Sequence, residues 1–460
     1  MINLDSLIQE IKDLGDIETI THPPIVRQKS RDFFWYSPVL KRQLDEVMAD
    51  LVVVPKTEQE VVSTIQACYQ HQVPVTVRAG GTGNYGQAMP LQGGLVLDLS
   101  EMNKIKSIAP GRVVTEPGIR ILELDRATQA HSGQEQRMHP STRELATIGG
   151  FIAGGSSGIG SVTWGLISDP GNVLGVKVVT MEAEPQILTL RGDEINKVAH
   201  AYGTNGVIVE VEMPLAPAYD WREFVIGFDD FMAGVHYAHD LCAHTGILKK
   251  LVAPIAAPVG QQYFKPLKDY LPEGQSLVMV MVAPHSEEAF MDLTHRHGGN
   301  VLYKRTDQDD RLPPIYEFTW NHTTLQALKT DRNITYLQSL FPPGDHLERV
   351  EHFYRYFGDE VPMHLEFVRF QGAIACFGLQ LVRFTSEGRL KEIIEYHEAN
   401  GVPIFNPHAY TIEEGGMKQV DHAQLNFKRR ADPQGLLNPG KMIAWNNPEY
   451  DGRRSTVLFK

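Results

Sequence analysis

Hydrophobic and polar positions alternate most clearly from residue 51 onward. Leu51–Val54 is a short apolar run ended by Pro55, the pattern of a buried strand. Thr57 and Glu60 then make a capping box, with Val61, Val62, Ile65 and Tyr69 at helical spacing behind it. Val75–Val77, Leu95–Leu99 and Val113–Thr115 predict three more strands, and Gly118 opens an expected helix reaching about His131. Val173–Thr180 and Ile187–Leu190 read as a hairpin. Val207–Met213 reads as a last strand, closed by Pro214 and Pro217. Strand and helix follow one another at short intervals, which predicts a mixed α and β unit over residues 49–216.

The flanking regions differ. Residues 1–48 look helical and mixed, with an aromatic cluster at Phe33–Tyr36. After Pro217, Leu277–Val282, His364–Phe370 and Ile374–Phe384 predict longer, mutually separated strands with helical stretches between them. That is the pattern of an α+β domain with an antiparallel sheet, over residues 217–400. Residues 401–460 are loop-rich, and no internal repeat is visible.

Composition narrows the function classes. Hydrophobic residues are 42% and charged residues 22% of 460, ordinary globular usage that excludes a mostly disordered chain. A net charge of −13 argues against a broad nucleic-acid footprint and against adsorption to anionic lipid. Cys68, Cys242 and Cys376 are odd in number and widely spaced, so no disulfide framework or CxxC zinc site is expected and a reducing compartment fits. The longest apolar run, Leu277–Ala283, is too short to cross a bilayer, and no secretory h-region precedes the first strand. A cytoplasmic protein with no integral membrane segment is expected.

Four glycine-marked segments carry candidate chemistry. In Val77–Gln87, a strand feeds a loop containing Gly80, Gly81, Gly83 and Gly86. Glycines there let consecutive N–H groups converge on an anion such as pyrophosphate, with Thr82 and Asn84 as added donors. A sharp turn without ligand is the plainer alternative. No Gly-Lys-Ser/Thr follows, so it is not a Walker A loop. In Ala146–Gly160, Gly154, Gly158 and Gly160 have the spacing of a short-chain dehydrogenase cofactor turn. The segment sits at mid-domain, however, and the chain contains no Tyr-x-x-x-Lys. Close backbone packing, or a backbone lying flat against a large planar ligand, are the alternatives. Tyr202–Ile208 is a tight turn leading into a strand, and Asp432–Lys441 is a loop punctuated by proline and glycine.

Taken in order, these segments resemble the FAD-binding family of vanillyl-alcohol oxidase and p-cresol methylhydroxylase (PCMH-type), in the glycolate and D-lactate dehydrogenase branch. Pro55–Val61 and Arg78–Gly83 resemble that family's opening and its R-x-G-G-T-G pyrophosphate loop. Ala146–Gly150 resembles its a-T-i-G-G segment, Gly203–Val211 its closing strand, and Asp432–Lys441 its D-P-x-g-i-l-N-P-G-K motif. The resemblance is strong over about residues 50–216, clear over 425–442, and fades across 220–400. It implies an FAD-binding domain of two α/β subdomains, with a cap over the isoalloxazine. The cofactor-binding residues it implies are Arg78, Gly80, Gly81, Thr82, Gly83, Asn84, Thr142, Thr147, Gly149, Gly150, Gly154, Gly158, Ile208 and Asn438. Covalent members carry His where this chain has Thr82, and no cysteine lies between residues 69 and 241, so FAD is expected to be non-covalent.

The cap departs from the family. The G-D-G-N-x-H metal strand is absent, as is H-W-x-K near the C-terminus; Met363–Glu366 is the nearest fragment to the former. Removing a hydride from a carbon bearing a hydroxyl needs a base for the hydroxyl proton. His364 and Glu366 alternate onto one strand face, Arg369 and Arg383 suit a substrate carboxylate, and Asn406–Tyr410 lies in the loop returning to the FAD domain. The catalytic candidates are therefore His408, Tyr410, His364, Glu366 and Arg383. His236, His239 and His244, like His295 and His297, lack a completing ligand set, so no metal is expected. Lys428–Arg430 reads as a solvated helix end.

The expected protein is an FAD-dependent oxidoreductase passing hydride from a small alcohol or hydroxy-acid donor to flavin N5. Oxygen, a quinone or a redox protein would be the electron acceptor. An NAD(P)H-dependent reductase of a C=C bond and a non-catalytic electron-transfer subunit are the alternatives. A homo-oligomer is compatible with the sequence.

Overall fold

The architecture comes from a computed structural model describing residues 4–155, 157–306, 311–416 and 420–450. Strands β1 (Glu18–Ile20), β2 (Leu51–Val54), β3 (Val75–Arg78) and β4 (Leu95–Asp98) form a sheet in the order β1-β2-β4-β3. The last three are parallel, and β1 lies antiparallel on β2. All residues of β2 and β4 are buried, as in strands covered on both faces. Thr57 caps the helix Glu58–Gln70, accepting from Glu60 N–H, and Val61, Ile65 and Cys68 pack on Leu51, Val53, Val75 and Leu97. Strand β1 is new: its three residues, inside the segment expected to be helical, find a partner edge on β2.

A second sheet is antiparallel throughout. It comprises β5 (Ile105–Ala109), β6 (Arg112–Thr115), β7 (Gln134–Gln136), β8 (Gly175–Val179), β9 (Ile187–Leu190) and β10 (Val207–Pro217), in the order β5-β6-β10-β8-β9 with β7 on the far half of β10. The expected β8–β9 hairpin is there. β10 does not stop at Met213 but runs through Pro214 to Pro217, because each proline forfeits only its own ladder donor. The helix expected from Gly118 starts at Ile121 instead. Gly118 is pressed against the backbone of Leu99 and Met102, and Arg120 bridges Thr147.

Beyond β10 the chain builds β11 (Arg222–Phe228), β12 (Lys249–Ile255), β13 (Ser276–Val282) and β14 (Asn300–Thr306), antiparallel in the order β12-β13-β11-β14. Two smaller antiparallel sheets follow: β15 (Ile334–Tyr336) with β19 (Leu381–Arg383), and β16 (Ser339–Phe341), β18 (Ala373–Gly378) and β17 (Leu365–Phe370). The strand expected over 374–384 is thus two strands serving different sheets. It is not separate from its predecessor either: β17 and β18 form a hairpin turned by Gln371 and Gly372, both at positive φ. Phe224, Ile226 and Phe228 face one apolar core and Val225 faces another, so this sheet too is covered on both sides. The chain then returns. Leu437 pairs with Val75, extending the first sheet beyond β3. No helix among the described residues is long and apolar enough to cross a membrane.

Candidate functional site

A groove of about 180 Å³ runs between the loop after β3 and the helix Ile148–Gly154. Arg78, Gly80, Gly81, Thr82, Gly83, Asn84, Thr142, Thr147, Gly149, Gly150, Gly154 and Ile208 all line it. The glycines differ in what they do. A Cβ on Gly80 would fall 2.5 Å from the carbonyl oxygen of Leu145, so the two walls meet there backbone to backbone. Gly81 has φ +62°, and the Arg78 guanidinium lies over the space a side chain would take. On the helix, a Cβ on Gly149 would strike Pro117, but one on Gly154 would meet nothing within 4 Å. The Gly154 position faces open groove that the protein's own packing leaves unused.

Five buried polar atoms of the groove's lining residues have no partner: Arg78 Nε, Thr147 Oγ1, Tyr202 Oη, Trp320 Nε1 and Asn321 Oδ1. Buried polar atoms ordinarily find one. Burial lowers the pKa of Arg78, opposed by Asp98 and Asp32, yet it remains a cation at neutral pH. A cation, a glycine-rich loop and unpaired donors on one side, with a smooth glycine-bearing helix on the other, fit a flat cofactor carrying a pyrophosphate.

Two implied cofactor residues lie off the groove. Gly158 packs on the backbone of His139 and Pro140, where any Cβ would clash. The dehydrogenase-like spacing therefore reflects close packing: the helix ends at Gly154, and His139 and Ile159 form a β-bridge. Ser156, inside that spacing, is outside the described residues. Asn438 is buried at φ +40°, and its Nδ2 donates to Gln87 O and Tyr202 O, both at 2.7 Å. It ties the pyrophosphate-type loop to the Tyr202 turn.

The rest of the C-terminal motif acts the same way. Asp432 accepts from Leu436 N–H, Leu437 N–H and Lys428 Nζ, and Lys441 Nζ donates to Gly86 O at 2.5 Å. Lys428 is therefore no solvated helix end; it is buried in an ion pair, while Arg429 and Arg430 are exposed. Asp32, whose carboxylate accepts from Phe34 and Ala88 N–H, is pushed up to about 6 by burial, against the nearby Lys441 charge.

The groove opens into a second cavity of about 280 Å³ at Tyr202, Trp320 and Asn321, which line both. This chamber is lined by ring-bearing and apolar residues (Tyr85, Leu166, Phe370, Phe377, Phe405) and by polar ones (His200, Gln338, Asp421, Gln424), with Tyr85 Oη donating to Gln338 Oε1 at 2.7 Å. Among its described lining residues the sole formally charged side chain is Asp421. The size is that of a small-ligand pocket.

None of the catalytic candidates lines either cavity. His408 Nε2 donates to Tyr336 O (3.0 Å), leaving Nδ1 to accept from Ser37 Oγ (2.7 Å); burial lowers its pKa to about 4. With both ring nitrogens engaged, it is a staple between segments. Tyr410 packs in the Phe34, Leu40, Leu44 and Met89 cluster, under the Lys441 ammonium. Arg383 donates to Asp359 O. His364 and Glu366 do pair, at 2.8 Å, but behind Trp320, whose backbone N–H donates to Glu366 Oε1 at 2.6 Å. They position Trp320 and do not reach the chamber. Phe33, Tyr36, Gln87, His200, Tyr202, Trp320 and Asn321 are site residues that sequence reasoning does not single out. The aromatic cluster at 33–36 and the Tyr202 turn are visible as patterns; Trp320 gives no signal. Among the described residues no three His, Cys, Asp or Glu side chains are grouped to hold a metal ion.

The fold and groove define an FAD-binding domain. Residues 49–189 match the family model described as "FAD binding domain", in agreement with the PCMH-type resemblance of the motifs. An uncharacterized FAD-linked oxidoreductase of Mycobacterium tuberculosis is 31% identical over 198 residues, 39% of this chain and 41% of that protein. The glycolate oxidase subunit GlcD of Escherichia coli is 31% identical over 177 residues, 36% of this chain and 34% of that protein. The D-lactate dehydrogenase of Archaeoglobus fulgidus is 31% identical over 167 residues, 36% of each chain. The chain thus spans about two fifths or less of the length of these curated relatives. A solved structure of alkyldihydroxyacetonephosphate synthase superposes with a TM-score of 0.70 at 15% identity, over 94% of this chain and 85% of that one, which shows the fold. FAD is the cofactor of this domain.

Proposed function

We propose that this protein is an FAD-dependent oxidoreductase that removes two electrons from a small, neutral alcohol. The observation that carries this is the junction itself: a cofactor-shaped groove opens through Tyr202, Trp320 and Asn321 into a chamber of small-molecule size. Bound FAD supplies the two-electron acceptor. Arg78 and the amides of Gly80–Asn84 hold the pyrophosphate, and the Gly150–Gly154 face of its helix supports the ring system. FAD is held non-covalently, a reading supported by the lining: no His or Cys is among the described residues of the groove.

The chamber's own chemistry narrows the donor. A 2-hydroxy acid needs a cation for its carboxylate. The described lining offers none, and Asp421 would repel it. Ring-bearing walls and unpaired polar atoms such as Asn321 Oδ1 and Gln424 Oε1 suit a neutral molecule with one or two hydroxyls. An electron-transfer subunit would have no use for such a chamber.

The test begins with the visible spectrum of the purified protein and acid precipitation. Flavin released into the supernatant is the expected result, and flavin retained in the pellet would mean a covalent attachment. Anaerobic bleaching then compares benzyl alcohol and short alkanols with glycolate, D-lactate and NADPH. Bleaching by neutral alcohols alone is expected. Bleaching by the acids would refute a neutral donor, and rapid bleaching by NADPH would favour a reductase running the other way.

A further inference from the structure

Backbone strain in this protein gathers at one place. Six described non-glycine residues have positive φ, and four of them (His200, Tyr202, Trp320 and Asn438) lie at the groove–chamber junction or brace it. Such residues cost of order 1–3 kcal/mol each and persist where function or packing over-determines them. For His200 and Tyr202 the strained backbone sends two polar rings toward one spot. His200 Nε2 and Tyr202 Oη both border the position a Cβ of Gly416 would take, and that glycine lines the chamber. Neither ring nitrogen of His200 has a hydrogen-bond partner among the described residues, and Tyr202 Oη is buried with none.

Resting on the alcohol-oxidising reading above, we propose that His200 and Tyr202 bind and deprotonate the donor's hydroxyl group. Tyr202 Oη–H donates to the hydroxyl oxygen, and His200 Nε2 accepts the hydroxyl proton. The donor's O–H bond breaks with the proton passing to His200, its C–H bond breaks with the electron pair passing to bound FAD, and C=O forms. The donor loses two electrons and the cofactor gains them.

The ionisation states agree with these roles. Burial lowers the His200 imidazole to about 4, so it is neutral and able to accept a proton at pH 7. Burial, with Asp32 and Glu413 nearby, raises Tyr202, which stays a proton donor. Asp421 and Tyr85 line the same chamber, and Asp32, Glu413, Tyr85 and Tyr336 are the titratable groups near Tyr202 among the described residues.

The test uses 4-nitrophenol as a spectroscopic stand-in for the donor, titrated into the FAD-loaded full chain at a pH where the free phenol is mostly neutral. The wild type is expected to bind it in the ionised form, seen as the long-wavelength band in the difference spectrum. His200→Gln should bind it neutral and about ten-fold more weakly. Tyr202→Phe should still ionise it but bind it several-fold more weakly. Gly416→Ala, whose methyl group would collide with His200 Nε2 and Tyr202 Oη and push the pair apart, should abolish binding. A neutral ligand in the wild type, an ionised one in His200→Gln, or no saturable binding at millimolar concentration would each overturn the pair. The flavin spectrum in the same cuvette separates the two levels: a wild type without FAD defeats the oxidoreductase reading, whereas intact FAD with no ionisation defeats this inference alone.

Discussion

Gly154→Ala separates a glycine kept for the protein from one kept for a ligand. Gly154 ends the helix Ile148–Gly154, is half-buried on the groove wall, and has nothing within 4 Å of the point where a methyl group would stand. In the protein without FAD, alanine relieves part of glycine's helical penalty, so stability should hold or rise by up to about 1 kcal/mol. With a ring system lying on that face, the same methyl overpacks the contact by about 1–3 kcal/mol, a roughly 5- to 150-fold weaker FAD dissociation constant. Gly158→Ala is the contrast, because its Cβ would collide with the His139–Pro140 backbone and lower stability directly. Fluorescence titration of apoprotein with FAD, beside thermal melts of the apo form, measures both effects. Wild-type FAD affinity in Gly154→Ala would refute the assignment of this helix as the cofactor wall.

Three other outcomes follow from the geometry. Asn438→Ala leaves two buried carbonyls, Gln87 O and Tyr202 O, without their donor, and should destabilise by about 2–4 kcal/mol and loosen FAD, read by melting and by flavin retained on gel filtration. Lys428→Met strands the Asp432 carboxylate in the interior and should cost about 3–5 kcal/mol in denaturant unfolding; the double variant with Asp432→Asn should recover part of that loss. His408 is held well below its ordinary 6.5, at about 4, so the unfolded chain protonates first as pH falls. Its contribution is present in full above pH 6.5 and is lost between 6.5 and about 4, amounting to about 3 kcal/mol. His408→Gln should flatten the stability–pH slope in that window, and an unchanged slope would show that His408 is not buried neutral.

Local chemistry is legible along the chain. The Gly80–Asn84 loop after β3 can be read because a strand followed by clustered glycines states its conformational needs within a few residues. The β8–β9 hairpin and the capped helix Glu58–Gln70 are legible for the same reason. So are the segments facing the groove, and with them the cofactor class. The base is not. His364, Glu366 and His408 are reasonable by residue type, but burial and partners far along the chain (Trp320 for the first pair, Ser37 and Tyr336 for the last) remove them from the chamber.

Glycine content and capping act over a turn or two, so the order of residues along the chain sets which backbone segments can approach an anion and a planar ring. Which of those glycines face open space and which face backbone depends on the elements packed opposite them. Gly154 and Gly158 sit four residues apart in similar surroundings of sequence, and what differs is the element opposite each. The folded chain likewise brings a turn at Tyr202 and a helix start at Trp320 to one junction, because that meeting rests on contacts between segments more than a hundred residues apart, and such long-range contacts leave no local periodicity to read.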